Sequence, residues 1–167
     1  MKNPVRRPLV VFTPKSMLRL KAAASQLSEF TSGTFRPVID DPTVTNATRV
    51  IFCSGKIYWE LVAERAKLGE LSTAIIRVER FYPFPVQEFQ EVIAKHPNAN
   101  LLWVQDEPAN QGAWPFVALA TKADGEDLLQ GRTLRRVSRR ATASPATGNH
   151  HVHEEEQKAL IMEAFMR

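Results

Sequence analysis

Two neighbouring acidic residues, Asp106 and Glu107, follow an apolar run and could exchange protons with a substrate, since carboxyl groups serve as general acids and bases. Nothing near them in the sequence completes an acid–base set, so they could equally cap the following helix or pair with basic residues. Cys53 ends another apolar run and has no local histidine to activate it. This favours a buried, unreactive thiol over a nucleophile.

Three histidines, His150, His151 and His153, offer imidazole nitrogens of the kind that bind zinc, copper or nickel. Neither a cysteine nor the H-E-x-x-H spacing accompanies them, so the sequence predicts no metal site. We interpret them as surface residues preceding a helix over residues 154–166. In that interpretation the three glutamates at 154–156 form the first helical turn and complement the helix dipole.

A dense group of basic residues lies within nine positions near the end of the chain. Its members are Arg132, Arg135, Arg136, Arg139 and Arg140. Such a density attracts phosphates, carboxylates or nucleic acid, but it could also dock onto acidic groups of another domain or subunit. Nucleic-acid binding is disfavoured, because aromatic residues do not alternate with the arginines and an acidic run adjoins them.

Length and composition are those of one α/β domain with a sizeable core. The chain has 167 residues, of which 44% are hydrophobic and 24% charged, and its net charge is +4. No apolar run approaches the roughly 20 residues that span a bilayer. The apolar run at residues 8–12 is too short for a signal peptide and lacks a cleavage site, so we predict a cytoplasmic protein without membrane segments.

Apolar runs that alternate with amphipathic patterns predict a largely parallel, five-stranded sheet with helices on both faces. The predicted strands are residues 8–12, 49–55, 74–80, 100–107 and 133–139. The predicted helices are residues 56–68, 86–96, 110–122 and 154–166. Residues 31–48 are rich in Thr, Pro and Asp and read as a linker. The prediction is therefore a strand and helix over residues 1–30, a linker over 31–48, and a compact α/β unit over 49–167.

Two loops that follow predicted strands combine charged and aromatic side chains. Open α/β sheets carry their functional groups at this position, beyond the carboxyl ends of the strands. We predict that these loops contribute to an interface or channel. The candidates are Arg80, Phe81, Tyr82 and Phe84 in the first loop, and Asp106, Glu107, Asn110, Gln111 and Trp114 in the second.

Taken together, five stretches resemble a known family in their wording and order. They are "RRPLVVFTPKSMLR", "CSGKIYWEL", "RVERFYPFP", "HPNANLLWVQDEPANQGAW" and "SRRATASPATGNHHVHEEEQ". The chain resembles the C-terminal end of the decarboxylating, thiamine-diphosphate-dependent component of 2-oxoglutarate dehydrogenase. Its wording is most similar to that of the actinobacterial multifunctional 2-oxoglutarate enzymes.

The resemblance implies a transketolase-like arrangement in which residues 1–30 end the pyrimidine-binding domain and residues 49–167 form the C-terminal domain. The parent enzyme uses thiamine diphosphate and magnesium to decarboxylate 2-oxoglutarate and passes the succinyl group to lipoamide in the tricarboxylic acid cycle. The motifs that hold the cofactor in this family are absent from the chain, so no catalytic residue is carried over. We expect a chain that alone binds no cofactor and is inactive.

The implied partners are the remaining domains of the same enzyme, a second copy through them, and the succinyltransferase component of the complex. The leading interpretation is a structural and regulatory domain that forms the dimer interface and a channel wall. The alternative is an effector-binding module, in which the arginine group holds the phosphates of acetyl-CoA or AMP. For Arg139 and Arg140, docking onto the missing domains is favoured over effector binding.

Overall fold

A computed structural model describes residues 7–8, 10–122 and 127–166 of the chain. The chain divides into two compact units, Met1–Gly33 and Thr34–Arg167. The second unit contains a five-stranded sheet in the order β1-β3-β2-β4-β5. Its strands are β1 (Val38–Ile39), β2 (Arg49–Cys53), β3 (Thr73–Val78), β4 (Asn100–Pro108) and β5 (Leu134–Arg139). β1 is antiparallel to β3, and the other neighbouring pairs are parallel.

The described α-helices are α1 (Leu27–Ser32), α2 (Ile57–Leu68), α3 (Val86–Lys95), α4 (Trp114–Ala120) and α5 (His150–Met166). They are divided between the two units, with α1 in the first unit and α2 to α5 in the second. One core packs α3 and α4 against the sheet, and the other packs α2 and α5 against its opposite face. The predicted α/β class, with a mostly parallel sheet covered on both faces, is confirmed. Among the described residues, no helix is both long enough and apolar enough to cross a membrane.

The central strands have side chains buried on both faces, which explains their continuous apolar sequence. Phe52 of β2 stacks on Phe89 of α3, with ring centroids 4.4 Å apart. Ile51, the preceding residue, points to the other core, beside Leu61 of α2 and Ile161 of α5. Alternate residues of one strand therefore join the two layers of helices.

The prediction of a strand at residues 8–12 is wrong for the residues that the structure describes. Val10, Val11 and Phe12 are 73%, 69% and 96% exposed and belong to no strand, while Leu9 lies outside the described residues. An apolar run becomes a strand only where a neighbour pairs with its backbone, and among the described residues of their unit these three have no pairing strand. That unit instead contains two short 3-10 helices, Lys15–Met17 and Lys21–Ala23, and helix α1.

Strand β1, at the edge of the sheet, comes from the segment that composition predicts to be a linker. Val38 and Ile39 pair with Val78 and Arg77 of β3. Pro37 O also accepts a hydrogen bond of 2.8 Å from Glu79 N. Two residues carry too little pattern to mark a strand, so this part of the predicted linker is corrected to an edge strand.

The last helix begins four residues before its predicted start. Asn149 Oδ1 accepts hydrogen bonds from His151 N (2.9 Å) and Val152 N (3.2 Å), so asparagine caps the helix. The first turn is therefore formed by residues 150–153. The prediction that Glu154, Glu155 and Glu156 open the helix is wrong.

A buried carboxylate holds the segment after β1 against the sheet. Asp41 Oδ2 accepts hydrogen bonds from Ile75 N (3.0 Å) and from Arg65 Nη1, and Asp41 Oδ1 accepts one from Thr43 N (3.0 Å). Burial opposes ionisation of Asp41, but the hydrogen bonds from Thr43, Ile75 and Arg65 outweigh it and lower its pKa. The ion pair with Arg65 is almost wholly buried, at 5% and 14% side-chain exposure.

Replacing this carboxylate should destabilise the fold substantially. We expect Asp41→Asn to lower the free energy of unfolding by about 3 kcal/mol, since it leaves the Arg65 guanidinium buried without its anion. The matched control is Asp40→Asn, which removes the charge of a half-buried partner of the exposed Lys95 and should cost less than about 1 kcal/mol. Urea denaturation of both variants measures the difference.

The destabilisation should also depend on pH in a defined direction. Because the pKa of Asp41 is lower in the folded chain than its ordinary value of 3.8, its contribution is complete above that value and lost as the pH falls through the folded-state pKa. The difference between Asp41→Asn and the unchanged protein should therefore shrink below about pH 4. A constant difference between pH 7 and pH 3 would contradict this account.

Candidate functional site

A crevice lies where the connections of the parallel sheet diverge to opposite faces. From β2 the chain crosses by α2 to β3, and from β3 it crosses by α3 over the other face to β4, on the far side of β2. Open α/β sheets bind ligands at the carboxyl ends of strands at such a point. The crevice measures about 460 Å³, and its lining includes Ser54, Phe81, Trp103, Gln105, Glu107 and Phe116.

Gln105 organises the floor of this crevice. Its side-chain Oε1 accepts hydrogen bonds from Trp103 Nε1 and from Trp114 N, both at 2.9 Å. Its Nε2 donates to Gln111 O at 2.7 Å and to Pro108 O at 3.1 Å. Gln105 is only 3% exposed, so one buried amide connects the end of β4, the following loop and the start of α4. Sequence analysis missed it, although a glutamine inside an apolar strand was a visible signal.

The loop after β4 passes so close to this amide that only glycine fits at its turn. Gly112 has a φ of +66°, and a Cβ there would lie 2.9 Å from Glu107 Cβ and 3.0 Å from Gln105 Nε2. A positive φ favours glycine in any case, and here a methyl group would also collide with two side chains.

The two predicted carboxylates have separate environments and do not form an acid–base pair. Asp106 Oδ2 pairs with Lys56 Nζ at 2.9 Å, and its Oδ1 accepts a hydrogen bond of 2.6 Å from Gln157 Nε2. Lys56 and Gln157 also donate hydrogen bonds to Glu60. Its Oε1 lies 3.0 Å from Lys56 Nζ, and its Oε2 lies 2.7 Å from Gln157 Nε2. Burial disfavours the charge on Lys56, but Asp106 and Glu60 outweigh it and raise its pKa. Glu107 is exposed at the crevice instead.

Asn110 and Gln111 join the β4–α4 loop to the loop that precedes α5. Asn110 Nδ2 donates to Thr142 O at 3.0 Å, and Asn110 Oδ1 accepts from Thr142 N at 3.1 Å. Gln111 Nε2 donates to the same carbonyl at 3.1 Å. These contacts connect two of the sequence stretches that carry the family resemblance.

The first aromatic loop is divided between packing and exposure. Phe81 meets Trp103 edge to face at 6.1 Å, and Phe84 packs on Phe89 at 5.3 Å. Arg80 Nε donates to Pro83 O at 3.0 Å and thereby closes the loop. Tyr82 is 84% exposed, so it is available for contact with another surface.

Comparison with known proteins places these motifs in one family. A family profile described as "2-oxoglutarate dehydrogenase C-terminal" matches residues 24–165. The "Multifunctional 2-oxoglutarate metabolism enzyme" of Mycobacterium sp. (strain JLS) is 44% identical over 169 residues. The "2-oxoglutarate dehydrogenase E1/E2 component" of Corynebacterium glutamicum is 48% identical over 167 residues. The chain belongs to the 2-oxoglutarate dehydrogenase C-terminal family.

Coverage is very unequal in these alignments. Each includes 96% of this chain but only 13% of the relative. The chain therefore spans about one eighth of the length of the curated relatives that it matches. The resemblance found in the sequence, including its actinobacterial character, is confirmed.

In this member of the family the five arginines do not form one cluster. Arg132 donates to Ile93 O (3.0 Å) and His96 O (2.6 Å), which satisfies carbonyls at the end of α3. Arg136 lies 5.4 Å from the ring centroid of Trp114, on the face that carries α4. Arg135 and Arg140 are exposed. Effector binding by this group stays a prediction, and most of its guanidinium groups already have partners within the fold.

Arg139 belongs to the packing of α5. Its Nη2 lies 2.8 Å from Gln157 Oε1 and 3.0 Å from His153 Nδ1, and its Nε lies 3.4 Å from Glu156 Oε2. Cys53 is fully buried, and its Sγ lies 3.7 Å from Ile76 O. Burial raises the pKa of the Cys53 thiol, which agrees with the interpretation of an unreactive core residue.

The glycine of the β4–α4 loop provides a test of this geometry. We expect Gly69→Ala, at a φ of +62° with open space around it, to cost about 1 kcal/mol from backbone strain alone. Gly112→Ala should cost about 1 to 2 kcal/mol more, because it adds the collision with Gln105 and Glu107. Thermal unfolding of both variants measures this, and equal losses would contradict the close packing.

The neighbouring arginines 139 and 140 should differ sharply. Arg139→Ala should lower the free energy of unfolding by about 2 kcal/mol, because it removes hydrogen bonds between a charged group and α5. Arg140→Ala is the control and should change it by less than about 0.5 kcal/mol. Chemical denaturation compares them, and equal effects would show that Arg139 does not hold the helix.

Proposed function

We propose that this chain is the non-catalytic C-terminal domain of a thiamine-diphosphate-dependent 2-oxoglutarate dehydrogenase component. The parent reaction would decarboxylate 2-oxoglutarate and transfer the succinyl group to lipoamide. The observation that carries the proposal is the alignment with the Corynebacterium glutamicum relative, which includes 96% of this chain and 13% of the named enzyme. A segment of that share supports a role as one domain of a larger machine.

The described residues do not fit the cofactor of that reaction. A magnesium–diphosphate site needs several oxygen ligands free to surround an octahedral ion. Asp106 and Glu60 stand at the appropriate edge of the sheet, but Lys56 and Gln157 occupy both carboxylates. We therefore assign the cofactor to the remaining domains and no step of the reaction to this chain.

Exposed apolar side chains supply the surface for docking. Tyr82 and Leu119 are 84% and 73% exposed, and Phe116 is 40% exposed. In the first unit Phe12 and Phe30 are also exposed. Apolar groups left open in this way are typical of protein interfaces. The occupant that we propose is the rest of the same enzyme, including the second subunit of a homodimer, with the succinyltransferase component bound to the whole in the cytoplasm.

A chimeric enzyme tests the proposal. The matching C-terminal segment of the Corynebacterium glutamicum relative is replaced by this chain, and decarboxylation of 2-oxoglutarate is measured. We expect activity in the chimera and none in the same enzyme without the segment. Calorimetry of the isolated chain with thiamine diphosphate and magnesium should show no binding. An inactive but folded chimera, or micromolar binding by the isolated chain, would contradict the proposal.

Two variants in the chimera examine the docking surface. Tyr82→Ser should weaken subunit association, since it removes an exposed ring from the interface loop. Met162→Ser is the control, because Met162 is 49% exposed on α5, which packs on the opposite face of the sheet from the core that Phe81 and Phe84 join. Sedimentation of both chimeras gives the dissociation constants. Unchanged association in Tyr82→Ser would remove this residue from the interface.

A further inference from the structure

The first turn of α5 exposes three side chains that offer metal ligands on one small area of surface. His150, His151 and Glu154 are all exposed, and one ligand atom from each lies within 4.8 Å of the others. Glu154 is four residues after His150 and three after His151. Residues at these spacings are neighbours on a helix, so the carboxylate lies about one turn from both rings, toward the C-terminus of the helix.

The distances approach those of a coordinated ion. His150 Nδ1 and Glu154 Oε2 are 3.6 Å apart. Two ligands of a tetrahedral zinc ion with bonds of about 2.0–2.1 Å are about 3.3 Å apart. The His150 and His151 rings are perpendicular, with centroids 6.0 Å apart. Because all three side chains are exposed, a rotation about their side-chain bonds can bring the third ligand to the ion without disturbing the core.

The neighbouring residues of the same turn are already used by the fold. His153 Nδ1 lies 3.0 Å from Arg139 Nη2, and Glu156 Oε2 accepts a hydrogen bond of 2.6 Å from Thr147 Oγ1. These two face the rest of the domain, whereas His150, His151 and Glu154 face solvent. Asn149 caps the N-terminus of the helix, so the backbone that carries the three ligands is held in place.

We propose that His150, His151 and Glu154 form a binding site for a divalent transition-metal ion of the zinc class, with a fourth position open to water or to a ligand from another molecule. Two imidazole nitrogens and one carboxylate are a ligand set that suits zinc, while magnesium and calcium prefer oxygen alone. The positive end of the helix dipole opposes a cation here. The charges of Glu154 and the adjacent Glu155 counteract it.

Calorimetric titration of the untagged, full 167-residue chain with zinc chloride tests the site, since an affinity tag of histidines would mask it. We expect one zinc ion per chain with micromolar affinity, and no heat with magnesium chloride. His150→Ala, His151→Ala and Glu154→Gln should each weaken zinc binding by roughly tenfold or more. All three positions are exposed, and unchanged thermal unfolding without zinc confirms that the variants fold.

Glu155→Gln is the matched control, because it removes the same charge from an exposed neighbour that is not a proposed ligand. Solvent and salt screen the attraction between such a charge and the ion, so the zinc affinity should change less than about threefold. Zinc that also raises the unfolding temperature of the unchanged chain, but not of His151→Ala, would support the assignment by a second measurement. The proposal is overturned if zinc binds no more tightly than millimolar, if the two histidine variants bind like the unchanged chain, or if Glu155→Gln loses as much affinity as Glu154→Gln.

Discussion

The buried amide of Gln105 is the interaction on which the carboxyl edge of this domain depends. A polar side chain in an apolar strand is costly unless its donors and acceptors are satisfied. Gln105 meets that condition by binding Trp103, Trp114 and the carbonyls of the β4–α4 loop. The loop conformation and the buried amide therefore require each other. Removing the amide, or changing the loop conformation, leaves an unsatisfied hydrogen-bonding group inside a packed core.

Further polar links extend from this loop to the other helical layer. Asn110 and Gln111 bind the loop before α5, and Asp106 is joined to α5 through Gln157. Asp106 is also paired with Lys56 at the start of α2. Three of the chemical candidates from the sequence, Asp106, Asn110 and Gln111, are thus restraints between elements. Such a closed network rigidifies a surface, whereas an acid–base catalyst needs a group left open to substrate.

The elements with strong local patterns could be predicted from the sequence, and those that depend on distant partners could not. β2 and β4 are buried on both faces, so their apolar runs are unambiguous. Val10, Val11 and Phe12 show the same composition but are exposed, because a strand requires a neighbour that composition does not reveal. Val38 and Ile39 show the opposite outcome: they form a strand that the sequence did not predict, in a segment that Asp41 holds to the sheet by a long-range hydrogen bond from Ile75 N. The start of α5 was misplaced because Asn149, the residue that caps it, precedes polar histidines rather than an apolar stripe.

The candidate site also has features that local sequence predicts and features that depend on distant contacts. The position of the loops after β3 and β4 could be predicted, because it follows from the order of strands and helices. Their role in an interface or channel stays a prediction. The sequence could not separate Arg139 from Arg140, whose neighbours in the chain are alike. The alternation of a strand places Arg139 toward α5, whereas Arg140 lies beyond the last pairing with β4. Adjacent residues of one type therefore differ in role by the face that each occupies. A charge-rich motif becomes interpretable only when each member is assigned to a face: those turned inward hold the fold, and those left outward define the surface that a partner can meet.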